Sequence, residues 1–118
     1  MTISPVKLSI TTDSGGAATV VSDPLIALPP GRVVGVKVNK GTLENTADIT
    51  VSISDNATDW QTILTLTDVT ASGMHPTGSK VAGSTDSYAP FLFTRAAQVV
   101  VAQGGSTKEG SVDIYVER

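Results

Sequence analysis

The chain has 118 residues with a net charge of −3, from 11 acidic and 8 basic side chains, and it contains no cysteine. This length fits one domain, predicted over 1–118, and the missing cysteine excludes disulfides, thiol nucleophiles and thiolate metal sites. The basic residues are scattered singly and no amphipathic basic helix is present, which argues against nucleic acid or a membrane as partner.

Apolar and polar residues alternate along most of the chain, as a sheet with one buried face requires. The first two predicted strands, 6–12 and 17–22, are separated by Asp13-Ser14-Gly15-Gly16, which we interpret as a hairpin turn. A short strand is predicted at 25–28. It precedes Pro29-Pro30-Gly31, a segment that suits a sheet edge or a loop because proline cannot donate to a ladder.

Five further strands are predicted, and four of them have β-branched or large apolar residues at every second position. They are predicted at 32–39, 47–54, 59–67, 90–102 with a break at Thr94, and 111–117. The residues expected on the buried side are Val34, Val36, Val38, Ile49, Val51, Ile53, Trp60, Thr62, Leu64, Leu66, Val112, Ile114 and Val116. About eight short strands without a helix of useful length predict an all-β sandwich or barrel.

Residues 73–90, GMHPTGSKVAGSTDSYAP, form a long segment rich in glycine, serine, threonine and proline. Loops beyond about 12–15 residues are uncommon in compact domains and usually have a function when they are ordered. Met74, Val81 and Tyr88 make this segment too apolar for a plain linker. We therefore predict a long loop that contacts a partner, and a second arm of this kind at residues 1–5.

The sequence offers weak candidates for chemistry. His75 is the only histidine, and its neighbours Met74 and Pro76 supply no orienting group for a general base, so we interpret it as a loop or interface residue. The segment Asp55-Asn56-Ala57-Thr58-Asp59 is rich in oxygen ligands but lacks the glycine and glutamate of a calcium loop, which favours a β-turn. We predict no catalytic, cofactor or metal site, and no enzymatic activity.

Aromatic residues make up only 4% of the chain. Trp60 and Phe93 are predicted to pack in the core, where large rings contribute most buried area. Tyr88, Phe91 and Met74 flank the long loop, and both core packing and partner contact stay open for them, since interfaces are enriched in these residue types.

Four segments together resemble a group of small tailed-bacteriophage virion proteins with a jelly-roll β-sandwich. The segments are TTDSGGAATVVSDPLIALPPGRVVGVKVNKGTLENTADITVSISD, WQTIL, MHP and APFLFTRAAQVVVAQGGSTKEGSVDIYVER. The likeness is one of pattern and length over nearly the whole chain. It implies a single antiparallel β-sandwich, jelly-roll-like, and a structural role on the outside of an assembled head or at the neck or tail.

The resemblance therefore implies a non-enzymatic capsid decoration (cement) protein on the capsid exterior. No signal peptide pattern is present, so synthesis in the host cytoplasm is expected. The implied partners are the major capsid protein or another virion protein, and further copies in a trimer or dimer. Two alternatives stay open, a neck, tail or fibre-base component and a carbohydrate- or host-surface-binding module. The predicted partner contacts are Thr2, Ile3, Pro5, Met74, His75, Pro76, Lys80, Val81, Tyr88 and Phe91.

Overall fold

The computed structural model describes residues 3–22, 31–54, 58–76, 79–80, 88–89, 91–93 and 96–117. These residues form eleven strands and no helix, so no described helix could cross a membrane. The strands are β1 (Ile3–Thr11), β2 (Ala18–Val21), β3 (Gly31–Asn39), β4 (Asp48–Ser54), β5 (Gln61–Leu66), β6 (Gly73–Pro76), β7 (Ser79–Lys80), β8 (Tyr88–Ala89), β9 (Phe91–Phe93), β10 (Ala96–Ala102) and β11 (Glu109–Glu117).

The strands pair into two antiparallel sheets, with β7 and β8 in a small ladder of their own. The first sheet has the order β1-β11-β3-β6, with β9 also on β3, and the second has the order β2-β10-β4-β5. When the short β7, β8 and β9 are set aside, eight main strands remain. If these eight strands are numbered 1 to 8 along the chain, β10 becomes strand 7 and β11 becomes strand 8. The two sheets then have the orders 1-8-3-6 and 2-7-4-5, which is the jelly-roll arrangement. The predicted all-β sandwich is confirmed.

Branched aliphatic side chains from both sheets fill the space between them. Because successive residues of a strand point to opposite faces, each strand contributes every second residue to this core. The buried aliphatic residues of the strands are Leu8, Ile10, Val33, Val36, Val38, Ile49, Val51, Ile53, Ala97, Val99, Val101, Val112, Ile114 and Val116. The predicted alternation of 47–54 and 111–117 is confirmed at every inward position.

One inward prediction on β3 is wrong because the strand contains a bulge. Val34 was expected in the core, but it is half-buried and Val33 is fully buried. Tyr115 pairs with Gly35 and the next residue, Val116, pairs with Val33, so Val34 has no opposite residue on β11. The extra residue of a β-bulge reverses the alternation beyond it.

A second bulge changes the buried side of β5. Val51 pairs with Leu64 and Ser52 with Thr62, which leaves Ile63 as the extra residue. Ile63 packs against the core and Thr62 is exposed, contrary to the expected alternation. Trp60, just before this strand, is half-buried and outside the hydrophobic cluster, so its predicted core position is also wrong.

The turn at 13–16 is tight but does not form a hairpin within one sheet. It joins β1 of the first sheet to β2 of the second. The carboxylate of Asp13 accepts hydrogen bonds from the N–H groups of Gly15 at 2.8 Å and Ala17 at 3.0 Å. The turn therefore carries the chain from one layer to the other, as the strand order of the sandwich requires.

The hydrogen bonds to Asp13 predict how stability responds to acid. The N–H groups of Ala17 and Gly15 hold the pKa of the Asp13 carboxyl below its usual value of 3.8. A carboxyl whose pKa is lowered by folding stabilises the fold above its unfolded pKa, and this contribution disappears as pH falls below about 3.8. We expect the urea concentration at the unfolding midpoint to depend less on pH in Asp13→Asn than in the wild type across this acidic range. Ser14→Ala should keep the wild-type pH dependence.

Two segments predicted to be irregular are partly strand. Within the predicted loop 73–90, Gly73–Pro76 forms β6 and pairs with β3. Residues 79–80 and 88–89 pair with each other, and the rest of that loop lies outside the described residues. Residues 3–5 of the predicted N-terminal arm continue β1, because its pairing with β11 extends to Ile3 opposite Glu117. The predicted strand 25–28 and residues 55–57 lie outside the described part.

Four loops meet at one end of the sandwich, which we call the loop end. They are 12–17, 40–47, 67–72 and 103–108. Backbone hydrogen bonds of 2.9 to 3.1 Å connect them, so this end is held by the chain itself. These bonds run from Thr12 N to Lys108 O, Glu44 N to Gly104 O, Gly104 N to Gly16 O, Thr107 N to Asp13 O, and Val69 N to Ala47 O.

Thr12 is a buried hydroxyl at the centre of the loop end. It is 3% exposed, donates to the carbonyl of Gly105 at 2.6 Å and accepts from the N–H of Lys108 at 2.8 Å. We expect Thr12→Val to lower the free energy of unfolding by about 1–3 kcal/mol, because it leaves both groups without that partner. Urea denaturation checks this. The exposed Thr11→Val should shift it by under about 0.5 kcal/mol, and equal effects would contradict the prediction.

Candidate contact face

The outer surface of the first sheet carries the side chains that alternate with the core on β1, β11, β3 and β6. Its residues come from four strands that are far apart in sequence and adjacent in space. We call this surface the contact face. Its members are Pro5, Lys7, Ser9, Thr11, Arg32, Gly35, Lys37, Asn39, Met74, Glu109, Ser111, Asp113, Tyr115 and Glu117.

One row of the contact face, next to its middle row, is apolar and aromatic. Pro5, Tyr115, Gly35 and Pro76 occupy one row across the four strands, since each is the register partner of the next. Met74 is 56% exposed, and its sulfur lies 3.4 Å from the place where a Cβ on Gly35 would be. The sulfur of Met74 therefore lies over Gly35, which is the register partner of the half-buried Tyr115.

Charged residues of both signs lie on either side of this apolar row. Lys7, Asp113 and Lys37 are register partners in the next row, and Glu117 is opposite Arg32 on the other side. Opposite charges at directly facing positions are favourable across strands, so the pattern supports the pairing of the sheet itself. It also gives the face a fixed alternation of charge that a partner can complement.

A polar groove lies on the contact face where it approaches the loop end. Its volume is about 420 Å³. The amide nitrogen of Asn39 donates to Ser111 Oγ at 3.1 Å and to Asp113 Oδ2 at 3.2 Å, which fixes the orientation of that amide. The groove is lined by Lys7, Ser9, Ile10, Thr11, Asn39, Gly41, Thr42, Glu109, Gly110 and Ser111. Hydroxyl, amide and charged groups thus converge on one concave surface.

His75 does not belong to the contact face. It is the register partner of the buried Val36, whereas its neighbour Met74 is the partner of the exposed Lys37. His75 is half-buried. Together with Leu66, Thr67 and residues 69–73 it lines a separate cavity of about 290 Å³. No cluster of three or more His, Cys, Asp or Glu able to hold a metal occurs among the described residues.

The structure unites some of the predicted contacts and separates others. Pro5 and Met74 lie on the contact face, and Pro76 occupies a position in the same row as Tyr115. Ile3 has a contact-face position by register, opposite Glu117. The other contacts are not on this face: Lys80 pairs with Tyr88 in the separate ladder, Phe91 pairs with the buried Val33, and Thr2 and Val81 lie outside the described residues. As partner contacts, all of them stay predictions.

Tyr115 is the main residue of the contact face that sequence reasoning missed. The alternation places it only on the outward side of strand 111–117, between Asp113 and Glu117. An aromatic residue on the polar side of an alternating strand is the signal that could have identified it. Such a ring gains no burial from its own core, so its place on that side favours contact with something else.

Comparisons with known proteins establish the fold and no family. No protein-family model and no curated protein matches the chain. Among solved structures, the chain is similar to "CBM32 of AlyQ in complex with 4,5-unsaturated mannuronic acid", at 13% identity and a TM-score of 0.52. The match covers 92% of this chain and 75% of that one. At this identity the likeness shows a shared β-sandwich fold.

Proposed function

We propose that this protein is a non-enzymatic structural virion protein that binds the outer surface of an assembled phage capsid through the contact face. The observation that carries the proposal is the composition of that face. Tyr115 and the exposed Met74 lie in adjacent rows of the face, with charged residues of both signs beside them. Protein interfaces are enriched in tyrosine and methionine at the core and have a polar rim.

The stabilising effect follows from selective binding. A protein that binds the assembled shell and has no affinity for free subunits shifts the equilibrium towards the shell by mass action. When one copy touches two neighbouring capsid subunits, the second contact forms at a high effective concentration. A rigid sheet face suits this role, because the contact residues are already ordered by the pairing of four strands and little entropy is lost on binding.

Co-sedimentation tests the proposal. The purified chain is mixed with emptied phage heads that lack it, over a range of protein concentrations and salt. We expect saturable binding at a fixed ratio to the capsid subunit, and heads that resist higher temperature once saturated. Binding to tails or to host envelopes and none to heads would contradict the capsid role and would favour the neck, tail or fibre-base alternative.

Carbohydrate binding is the second candidate function, and two observations favour it. One is the fold likeness to a carbohydrate-binding module. The other is the outward side of β11, where Tyr115, Asp113 and Ser111 follow one another at steps of about 6.8 Å. An aromatic ring followed by hydrogen-bonding groups can hold a sugar chain along the strand, with Lys7 and Lys37 beside it for an acidic sugar.

Calorimetric titration separates the two candidates. Mannuronate oligosaccharides serve as the acidic probe and glucose oligosaccharides of the same length serve as the neutral control. Saturable binding of the acidic probe that Tyr115→Ala removes would support the sugar-binding function. Head binding that is unaffected by an excess of either oligosaccharide would show that the capsid interaction does not use a sugar.

A further inference from the structure

The outer surface of the second sheet has a different chemistry from the contact face. We call it the neutral face, because nearly all of its side chains are uncharged. Its members are the outward residues of β2, β10, β4 and β5 that are not buried: Thr19, Val21, Asp48, Thr50, Thr62, Thr65, Gln98, Val100 and Ala102. Asp48 is the only ionisable member, and its carboxylate accepts a hydrogen bond from the N–H of Asp68 at the edge of the face.

Val100 lies at the centre of the neutral face. It is on β10, an inner strand, with Thr19 as its register partner on β2 and Thr50 as its partner on β4. Val100 is 38% exposed and Val21, one row away, is 44% exposed. The middle of this sheet therefore presents aliphatic carbon with a threonine on either side, whereas the middle row of the contact face is charged.

The charge distribution selects a second copy of the chain as the occupant. The chain carries a net charge of −3, so two copies repel each other in most orientations. Two neutral faces can meet with little repulsion, because the charges of each contact face are one sheet separation, about 10 Å, further away. That distance is near the Debye length of about 8–10 Å in physiological salt, so those charges are largely screened.

The hydrogen-bonding groups of the neutral face are also self-complementary. A hydroxyl group both donates and accepts, so a threonine surface can bond to an identical surface without matching donors to acceptors. Thr62 of the face already makes such a pair with the buried Ser52, with 3.4 Å between their oxygens. We propose that the neutral face packs against the neutral face of a second copy, with Val100 next to the twofold axis.

The size of the face sets the strength of this self-association. Four strands about 4.8 Å apart and three rows about 6.8 Å apart give an area of a few hundred Å². Stable complexes bury about 800 Å² on each partner, so the dimer is weak in dilute solution. It becomes populated at millimolar concentration or where copies are held side by side. The inference needs only the chain itself and does not depend on the capsid role.

Sedimentation equilibrium at protein concentrations of about 20 μM to 1 mM tests the self-association. An interface of this size is weak, so dimers should be populated only near the highest of these concentrations. We expect the average mass to rise towards that of a dimer with concentration. The rise should be larger in about 0.5 M salt than in about 0.05 M, because salt screens the repulsion between two negative chains. A monomer mass at every concentration and salt would overturn the proposal.

Variants then locate the interface. We expect Val100→Glu to weaken self-association at least about tenfold, because it places two carboxylates face to face in a desolvated contact. Val100→Thr keeps the shape and should change it by less than about threefold. Met74→Thr, on the contact face, should leave it unchanged. Self-association of Val100→Glu equal to that of the wild type would overturn the assignment, provided that both have the same circular dichroism.

An NMR dilution series gives a readout that requires no variant. Amide shifts of Thr19, Thr50 and Val100 should change with protein concentration, whereas those of Lys37 and Asp113 should stay constant. Changes confined to the contact face would overturn the proposal. Head binding measured on the same Val100→Glu protein separates this inference from the proposed function, because the contact face is unaltered in that variant.

Discussion

Gly41→Ala is expected to lower the free energy of unfolding by about 3–4 kcal/mol, a large part of the stability of a small domain. Gly41 has a φ of +56°, in the left-handed region that costs other residues about 1–2 kcal/mol. A Cβ at this position would also overlap the carbonyl oxygen of Glu109. The two segments cannot separate easily, because Thr42 N donates to that same oxygen and Thr42 Oγ1 accepts from Glu109 N, both at 2.8 Å.

Gly15→Ala is the matched control for this prediction. A Cβ on Gly15 would lie 3.4 Å from a side-chain oxygen of Asp13, an ordinary contact, and its φ is outside the left-handed region. We expect a change of less than about 1 kcal/mol. Urea denaturation followed by circular dichroism measures both variants. If Gly41→Ala unfolded at the wild-type urea concentration, the close approach of Gly41 to the Glu109 carbonyl would be wrong.

Tyr115→Ala is expected to weaken binding to heads that lack the protein by about 30-fold or more, the effect of losing an interface residue worth at least 2 kcal/mol. Both the position and the size of the Tyr115 ring account for this expected loss of binding. Tyr115 lies on the inner strand β11 between Pro5 and Gly35, where a bound partner shields the ring from water more completely than at a sheet edge. The dissociation constant from co-sedimentation over a protein concentration series is the measurement.

Thr65→Ala is the control for the Tyr115 variant. Thr65 is an exposed residue of the second sheet, so its loss should change head binding by less than about twofold. Both variants need wild-type unfolding curves before their binding is compared. A Tyr115→Ala protein that is folded and binds heads as tightly as the wild type would contradict the contact face as the docking surface.

The alternation in the sequence was sufficient for the sandwich and for most of its core, but it could not show the bulges. A bulge adds one residue, and its presence is visible only when a polar residue appears out of phase. At Val33-Val34 and at Ile63-Leu64 two apolar residues are adjacent, so both registers look equally good in the sequence. Pairing with β11 and β4 decides between them, and that is a property of the neighbouring strand.

The contact face was predictable only in part for a related reason. Pro5 and Met74 were expected to contact a partner because of their segments, one at the N-terminus and one in the predicted loop. Their common surface depends on β1 and β6 flanking β11 and β3 in one sheet. The jelly-roll likeness implied such a sheet but not its register. Tyr115 becomes a neighbour of Gly35 only through the β3–β11 register, just before a bulge that the sequence does not reveal.

The pairing of the first and last strands determines how the fold would carry a pulling force. Ile3 is opposite Glu117, so β1 begins beside the end of β11. Tension between these ends would peel β1 from β11 one hydrogen-bonded pair after another, instead of shearing all the pairs at once. The fold resists load poorly through its ends. In the proposed capsid role, load would therefore pass through the sheet faces of this fold.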